Sequence, residues 1–179
     1  RVPGEEAMWI TPSAMFKGNL DPEIMVKVGM DGKKIGEGGN PSSESLVHLA
    51  IYRARPRAKA VIHCHAPNAT ILANTDLPFL PISTEAAFFG EIPRLPFIMP
   101  GTTELADAVG KAAQDSHAVL LKNHGLLVAG MSLRKAADMT EVVERTAEII
   151  LGCYAVGKEP PVLPDDVVAQ LREMGDMMA

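Results

Sequence analysis

The chain has 179 residues, of which 47% are hydrophobic and 22% are charged, a composition typical of a soluble globular domain with a sizeable core. Its net charge of -5 and pI near 5.5 argue against a nucleic-acid-binding surface, which needs clustered lysine and arginine. No apolar run reaches the roughly 18 residues that a membrane-spanning helix requires. We therefore expect neither nucleic acid nor membrane among its partners.

Strands and helices alternate along the first half of the chain. The patterns predict strands at 7–12, around 25–30 and at 59–66, a hairpin turn at 31–34, a helix at 41–56 and a helical turn at 68–74. Pro41 and the serines after it mark the start of the helix, and Pro56 lies just past its end.

The second half continues this alternation. The patterns predict strands at 79–84 and 92–99, two strand segments within 118–130 that break at 123–125, and helices at 102–115, 132–151 and 165–174. A threonine caps the first of these helices, and Ser132 caps the longest, which is expected to end near Gly152. This order favours one α/β domain over residues 1–179, a sheet covered by helices.

The two cysteines, Cys64 and Cys153, are too few for a disulfide framework, and no stretch resembles a secretory signal peptide. Such a chain suits a reducing compartment, and we expect a cytoplasmic location. The sequence opens at Arg1 without a methionine, on what reads as the middle of a strand. We therefore expect the natural chain to have residues before Arg1.

The stretch "AVIHCHAP" at 60–67 carries two histidines separated by one residue. In a strand, side chains alternate between the two faces, so His63 and His65 point the same way and Cys64 points to the opposite face. Two imidazoles on one face either bind something together or repel each other when they are protonated. A shared metal ion is the interpretation that we favour for this pair.

A third histidine, His124, lies in the sequence "NHG". Catalytic zinc typically has three protein ligands and an open fourth position. His124 is the best candidate for the third ligand, because Gly125 permits the sharp break that would aim a side chain inward. His48 and His117 read as ordinary hydrogen-bonded residues of the core or surface.

A second group of polar residues, "NPSSES" at 40–45, lies where a helix is predicted to begin. Free backbone N–H groups, the helix dipole and the hydroxyls of Ser42 and Ser43 converge there, which suits a phosphate as well as a plain helix cap. Glu44 follows in the first turn, where it either supports the helix dipole or serves as a fourth metal ligand or proton-transferring base. Ser13 offers a further hydroxyl beside a strand end.

Taken together, these pieces resemble the class II aldolase/adducin family, which includes fuculose-1-phosphate aldolases, ribulose-5-phosphate 4-epimerases and some metal-dependent decarboxylases. The resemblance runs in order along nearly the whole chain. It comprises "ITPS" (10–13), "PSSE" (41–44), "RPRAKAVIHCHAP" (55–67), "PGTTELADAV" (100–109) and "LLKNHGLLVAG" (120–130). Each piece is weak alone, but the ordered set is highly specific.

The resemblance implies a single three-layer α/β/α domain around a mainly antiparallel sheet, usually in a cyclic homotetramer with sites between neighbouring subunits. It identifies His63, His65 and His124 as the ligands of one divalent metal ion per subunit. Three histidines suit zinc, and manganese, cobalt or iron would also fit.

The same resemblance implies roles for the polar residues of the two serine-containing segments. Glu44 matches the family's proton-transfer residue, which can also approach the resting metal. Ser13, Ser42 and Ser43 match its phosphate site. Epimerase-like members usually have aspartate where this chain has Glu44, so the glutamate favours lyase chemistry.

For function, the resemblance implies a divalent-metal-dependent carbon–carbon lyase that acts on a small molecule. Retro-aldol cleavage of a ketose phosphate through a metal-stabilised enediolate stands first, because the serines are present. Decarboxylation of a hydroxy, keto or aromatic acid is the alternative, since it forms the same stabilised carbanion with CO2 as the leaving fragment. A sugar-phosphate 4-epimerase is third, and a non-enzymatic interaction protein is least favoured.

The chain departs from the family where the leaving-group acid is expected. Fuculose-phosphate aldolases carry a tyrosine in the segment equivalent to 77–93, and this segment has none here. The only tyrosines of the chain, Tyr52 and Tyr154, read as packing residues. Glu85 is a candidate replacement acid. The rings Phe88, Phe89 and Phe97 suit either packing or a less polar substrate.

Overall fold

A computed structural model describes residues 1–16, 18 and 20–178, and the side chains up to residue 174. The strands are β1 (Ala7–Ile10), β2 (Val26–Gly29), β3 (Lys34–Ile35), β4 (Ala60–Cys64), β5 (Arg94–Leu95), β6 (Ala118–Leu121) and β7 (Gly125–Gly130). The helices are α1 (Ser45–Ala54), α2 (Pro67–Asn74), α3 (Thr84–Ala87), α4 (Thr103–Ala112), α5 (Leu133–Ala155) and α6 (Asp165–Met178), and a single 3-10 turn covers Pro22–Ile24.

The strands form two sheets, and most of their pairings are antiparallel. The larger sheet has the order β4-β7-β6-β5, in which only β5 runs parallel to its neighbour. The smaller sheet, β1-β2-β3, is antiparallel throughout. The prediction of a mainly antiparallel α/β fold is therefore confirmed.

Helices cover both faces of the larger sheet and give three layers. One face packs against α1, α4 and the inner side of β1 and β2, and this cluster includes the buried residues Val61, Leu127 and Leu105. The other face packs against α2 and α5 through residues such as Leu126 and Val143. Successive residues of β7 thus enter opposite layers, as strand alternation requires.

Two predicted helix starts are built as the sequence indicates. Thr102 accepts a hydrogen bond from the backbone N–H of Leu105 at the start of α4, and Ser132 accepts one from Lys135 at the start of α5. Each side chain satisfies one of the backbone donors that a helix leaves unpaired in its first turn. Among the described residues, no helix combines the length and apolar character of a membrane span.

Several predicted elements differ from the structure. Of the strand predicted at 92–99, only Arg94–Leu95 forms β5. Helix α1 begins at Ser45 rather than at 41, because Pro41 pairs with Pro12 in an isolated β-bridge. The predicted strand at 79–84 is absent; Pro78 and Pro81 lack the N–H groups that a ladder needs, and the short helix α3 follows instead. Helix α5 continues past Gly152, since one glycine costs a long helix only about 1 kcal/mol.

The close approach of β7 to β4 requires a glycine at the first residue of β7. A Cβ atom added to Gly125 would lie 2.3 Å from the carbonyl oxygen of Cys64. Both groups belong to the backbone of paired strands, so neither can move without loss of the pairing.

We predict that Gly125→Ala destabilises the protein by at least about 1–3 kcal/mol, because the new methyl group overpacks the strand pair. Urea unfolding followed by circular dichroism measures this change. Gly152→Ala is the matched control: it lies in α5, a Cβ there meets nothing within 4 Å, and we expect it to stabilise by about 0.5–1 kcal/mol. Equal stability of Gly125→Ala and wild type would contradict the prediction.

Candidate metal and substrate site

The first two histidines of the site lie at the end of β4. His63 pairs with Leu127 of β7, and its side chain follows Val61 onto the face that α1 and α4 cover. Cys64 packs against the cluster on the opposite face. The strand alternation predicted from the sequence is therefore confirmed, and the Cys64 thiol is turned away from the histidines.

The third histidine lies in the tight connection between β6 and β7. Asn123 has a positive φ of 56°, a conformation in which asparagine is enriched among non-glycine residues. The break that we had attributed to Gly125 is therefore made by Asn123, and Gly125 serves the close strand contact. The N–H of Asn123 donates to Oδ1 of Asn74 at 2.7 Å, which ties the connection to the end of α2.

These elements bring the three imidazoles together. His63, His65 and His124 each offer one ring nitrogen, and these nitrogens all lie within 4.8 Å of one another. The Nε2 atoms of His63 and His124 are 3.1 Å apart. Two nitrogens on a tetrahedral ion with bonds of about 2.0–2.1 Å lie about 3.3 Å apart, so the observed spacing fits one shared ion.

Hydrogen bonding prepares His63 to act as a ligand. Its Nδ1 lies 3.0 Å from the carbonyl oxygen of Leu126. A carbonyl only accepts, so Nδ1 carries the proton and Nε2 presents its lone pair to the other rings. Nδ1 of His124 is buried and has no hydrogen-bond partner within the described part of the chain.

Burial favours the neutral form of His63 and His124. It lowers the pKa of His63 to about 4, against a weaker opposing effect of the Leu126 carbonyl. Burial also lowers the pKa of His124, and the charge of His65 lowers it further. A neutral imidazole is the form that binds a metal, so these shifts favour ligation at neutral pH.

Glu44 lies immediately before α1, beside the histidines. Its Oε2 is buried without a hydrogen-bond partner among the described residues. Burial raises the pKa of Glu44, and the nearby His65 charge opposes that rise. A raised pKa makes the carboxyl group of Glu44 a better proton carrier than an ordinary exposed glutamate. Glu44 does not join the histidines in the group of close ligand atoms, so its role as fourth ligand stays a prediction.

Backbone hydrogen bonds place the two serine-containing segments side by side. The N–H of Ser13 donates to Asn40 O at 2.9 Å, and the N–H of Ser42 donates to Thr11 O at 3.1 Å. The hydroxyl oxygen of Ser42 accepts from the N–H of Glu44 at 3.2 Å. The segments that carry Ser13 and Ser42 thus meet next to the start of α1, as a shared anion site requires.

Ser43 faces a different neighbour. The turn at Gly101, which has a φ of 76°, lies so close to Ser43 that an added Cβ would be 3.4 Å from its carbonyl oxygen. The exposed side chain of Ser43 follows the half-buried Ser42. The turn that precedes α4 therefore borders the serine segment.

The remaining candidates are placed elsewhere or packed. Glu85 is exposed on α3, and hydrogen bonds from its own backbone, Ser83 and Thr84 lower its pKa, which does not suit a proton donor at neutral pH. Tyr52 belongs to the core. Phe89 packs edge-on against Phe79, with ring centroids 5.9 Å apart. Packing thus explains Phe89, whereas Phe88 and Phe97 are exposed.

The other two histidines differ from the triad. His48 lies one turn after Glu44 on α1, and burial lowers its pKa to about 3, with a further contribution from His63. His117 precedes β6, at the end opposite to His124, and contacts the Arg55 guanidinium through Nε2 at 2.9 Å.

Sequence reasoning missed Glu144. The helical periodicity places it on the polar side of the longest helix, but its carboxylate accepts hydrogen bonds from the first turn of α2. The signal in the sequence is the start "HAPN", since neither Ala66 nor Pro67 can cap a helix with its side chain.

We predict that the metal-free protein loses stability as the pH falls below about 6.5. The folded state holds His63 and His48 at pKa values of about 4 and about 3, so the unfolded chain binds protons first. For each of the two rings, the free energy of unfolding falls by up to about 1.4 kcal/mol per pH unit as the pH drops from 6 towards 4. Urea unfolding from pH 7 to 5 measures the slope, and His48→Gln should reduce it. An identical slope in that variant would refute the assignment.

Comparison with known proteins identifies the family of the chain. Residues 1–151 match the family described as Class II Aldolase and Adducin N-terminal domain. The chain is 38% identical over 171 residues to 3-oxo-tetronate 4-phosphate decarboxylase of Escherichia coli (strain K12), which covers 90% of this chain and 78% of the relative.

Two further relatives are aldolases. The 5-methylthioribulose-1-phosphate/5-deoxyribulose-1-phosphate aldolase of Escherichia coli O45:K1 (strain S88 / ExPEC) is 36% identical, over 88% of this chain and 75% of the relative. A solved structure of L-fuculose 1-phosphate aldolase superposes with a TM-score of 0.86 at 33% identity, over 96% of this chain and 81% of that one. The predicted enzyme class, a lyase of the class II aldolase type, is confirmed. The chain belongs to the class II aldolase and adducin family.

Proposed function

We propose that this protein is a divalent-metal-dependent carbon–carbon lyase that cleaves a ketose phosphate by the retro-aldol reaction. The observation that carries the proposal is the group of three imidazoles whose ligand nitrogens lie within 4.8 Å of one another. In a chain of this family, such a group supports a resident metal ion rather than a chance cluster of core histidines.

His63, His65 and His124 would hold the ion. Three neutral nitrogen ligands suit zinc, and manganese, cobalt or iron also accept imidazole. A bound divalent ion supplies a Lewis acid that draws electrons from a substrate carbonyl and an adjacent hydroxyl. The imidazoles add no negative charge, so the full charge of the ion stays available to the substrate.

Glu44 would move the proton. The buried Oε2 atom lacks a protein partner in the described residues, and burial raises the pKa of this carboxyl group, so it takes up a proton more readily than an exposed glutamate. In the cleavage direction Glu44 delivers that proton to the carbon that keeps the electron pair of the broken bond. In the condensation direction it removes the proton from the same carbon.

Ser13, Ser42 and Ser43 would bind the phosphate. The Ser42 hydroxyl already accepts the N–H of Glu44, so its own hydrogen is free to be donated to a phosphate oxygen. The partial positive charge at the start of α1 adds to this attraction. The names of the relatives support an anion site, since each refers to a phosphorylated compound.

Decarboxylation is the second candidate. It breaks a carbon–carbon bond in the same way, with CO2 as the leaving fragment. Two observations favour it: the 38% identity to a 3-oxo-tetronate 4-phosphate decarboxylase, and the lack of a tyrosine acid in segment 77–93. A carboxylate that leaves as CO2 has no proton to lose, whereas the hydroxyl group that becomes the aldehyde must give its proton to a base, which acts as the acid in the condensation direction. Decarboxylation of an aromatic acid and 4-epimerisation of a sugar phosphate rank below these two reactions.

We further propose a homotetramer in the cytoplasm, with sites at the interfaces between subunits. The family resemblance and the two unpaired cysteines support this setting.

The test is a substrate panel on protein loaded with zinc or manganese. We expect release of dihydroxyacetone phosphate from at least one ketose 1-phosphate, measured with a coupled dehydrogenase. Release of CO2 from 3-oxo-tetronate 4-phosphate would assign the decarboxylase instead. His63→Ala should lose its metal and both activities, and His117→Gln is the matched control that should keep them. Metal content unchanged in His63→Ala would refute the proposed site.

We predict that Glu44→Gln retains metal but lowers kcat by about 10²–10⁴-fold, because the amide cannot transfer a proton. Steady-state kinetics on the substrate identified by the panel measure this loss, together with metal analysis of the same sample. Glu104→Gln makes the same change of charge in the first turn of α4, where the side chain is exposed, and should leave kcat unaltered. Full activity of Glu44→Gln would exclude the proton-transfer role.

A further inference from the structure

Helix α2 connects the two parts of the chain that carry the histidine triad. It begins at Pro67, two residues after His65, and ends at Asn74, which accepts the N–H of Asn123 at 2.7 Å. His124 is the next residue after Asn123. The position of α2 therefore influences both His65 and His124.

The first turn of α2 has no cap of its own. Ala66 occupies the N-cap position and forms no side-chain hydrogen bond, and Pro67 follows. The acceptor comes from α5: Oε1 of Glu144 lies 2.9 Å from the backbone N of Asn68, and Oε2 lies 2.8 Å from the backbone N of Ala69. Oε1 also accepts the Asn68 side-chain amide at 2.9 Å. Glu144 thus provides the cap from 76 residues away in sequence.

The surroundings of Glu144 explain why the carboxylate stays in this position. It is half-buried, and within the described residues it forms no ion pair. The partial positive charge of the α2 N-terminus balances its negative charge, and charge-assisted hydrogen bonds of this kind are about twice as strong as neutral ones. Glu144 therefore ties α2 to α5 at one defined place.

The three histidines differ in how they are held. The ring of His63 is fixed by its own bond to Leu126 O. His65 is exposed, and among the described residues no hydrogen bond fixes its ring. Its direction depends on the backbone of residues 64–67, which joins β4 to the first turn of α2.

We propose that Glu144 is a positioning residue: by capping α2 it fixes the backbone at 65–67 and so holds the His65 ring towards His63 and His124. The proposal rests on the proposed function, because it assigns Glu144 a part in metal affinity. Glu144 itself touches neither metal nor substrate. It acts through the backbone on His65, the ring that no hydrogen bond fixes among the described residues.

The experiment measures zinc affinity by competition with a chromophoric chelator. Glu144→Ala removes all three acceptor contacts and should raise the dissociation constant by about 10–100-fold, the range that is typical when a ligand loses its orienting partner. Glu144→Gln keeps the shape and one acceptor oxygen, and should show a smaller rise. Glu148→Gln removes the same charge from an exposed position one turn further along α5 and should bind zinc like wild type.

A second measurement separates positioning from simple stabilisation. NMR relaxation of the histidine rings in the metal-free protein should show increased mobility of His65 in Glu144→Gln, with His63 unchanged. If Glu144→Gln or Glu144→Ala lowers the urea midpoint but leaves zinc affinity and His65 mobility at wild-type values, Glu144 is only a structural cap and the proposal is overturned.

The same data distinguish failure of the proposed function from failure of the positioning role of Glu144. If wild type binds no zinc or manganese, the proposed function fails, and the mobility of the His65 ring alone decides whether Glu144 positions it. If wild type binds metal and Glu144→Gln matches it in affinity and in His65 mobility, the proposed function stands and the positioning role is excluded.

Discussion

The antiparallel pairing of β4 with β7 is the constraint on which the site depends. Its register sets His63 opposite Leu127 and brings the first residue of β7, Gly125, under the carbonyl of Cys64. The chain enters β7 through His124, so one end of one strand pair presents histidines from both segments. A shift of one residue in the pairing would turn His63 to the face of α2 and α5 and would dismantle the triad.

The same burial acts in opposite directions on the two kinds of titratable group at the site. It lowers the pKa of His63 and His124 and raises that of Glu44, because burial penalises whichever form is charged. The imidazoles are thereby kept free of protons, and the carboxyl group retains one more readily. The same burial therefore favours the metal-binding form of the two histidines and the protonated form of Glu44. His65, by contrast, is exposed to solvent.

Much of this arrangement could be predicted from the sequence. Strand alternation alone placed His63 and His65 on one face, and the capping threonine and serine located two helices. The missed features depend on contacts between distant residues. The acceptor for α2 comes from Glu144, far along the chain, and a helical wheel shows only that this residue lies on a polar side. The positive φ at Asn123 also reflects tertiary context. The loss of the strand at 79–84, by contrast, could have been predicted from the prolines in that segment.

His63 and His124 lie 61 residues apart in sequence, and this separation has a consequence for the order of events during folding. Bringing the ends of such a loop together costs about 3–4 kcal/mol of chain entropy, which the packing of the sheet must supply before the triad exists. The unfolded chain offers an ion the neighbouring residues 63–65 without His124 held beside them. A divalent ion therefore binds the folded state in preference to the unfolded one, and its presence shifts the folding equilibrium by mass action. Cellular metal supply would then influence how much of this enzyme is folded, as well as how much of it is active.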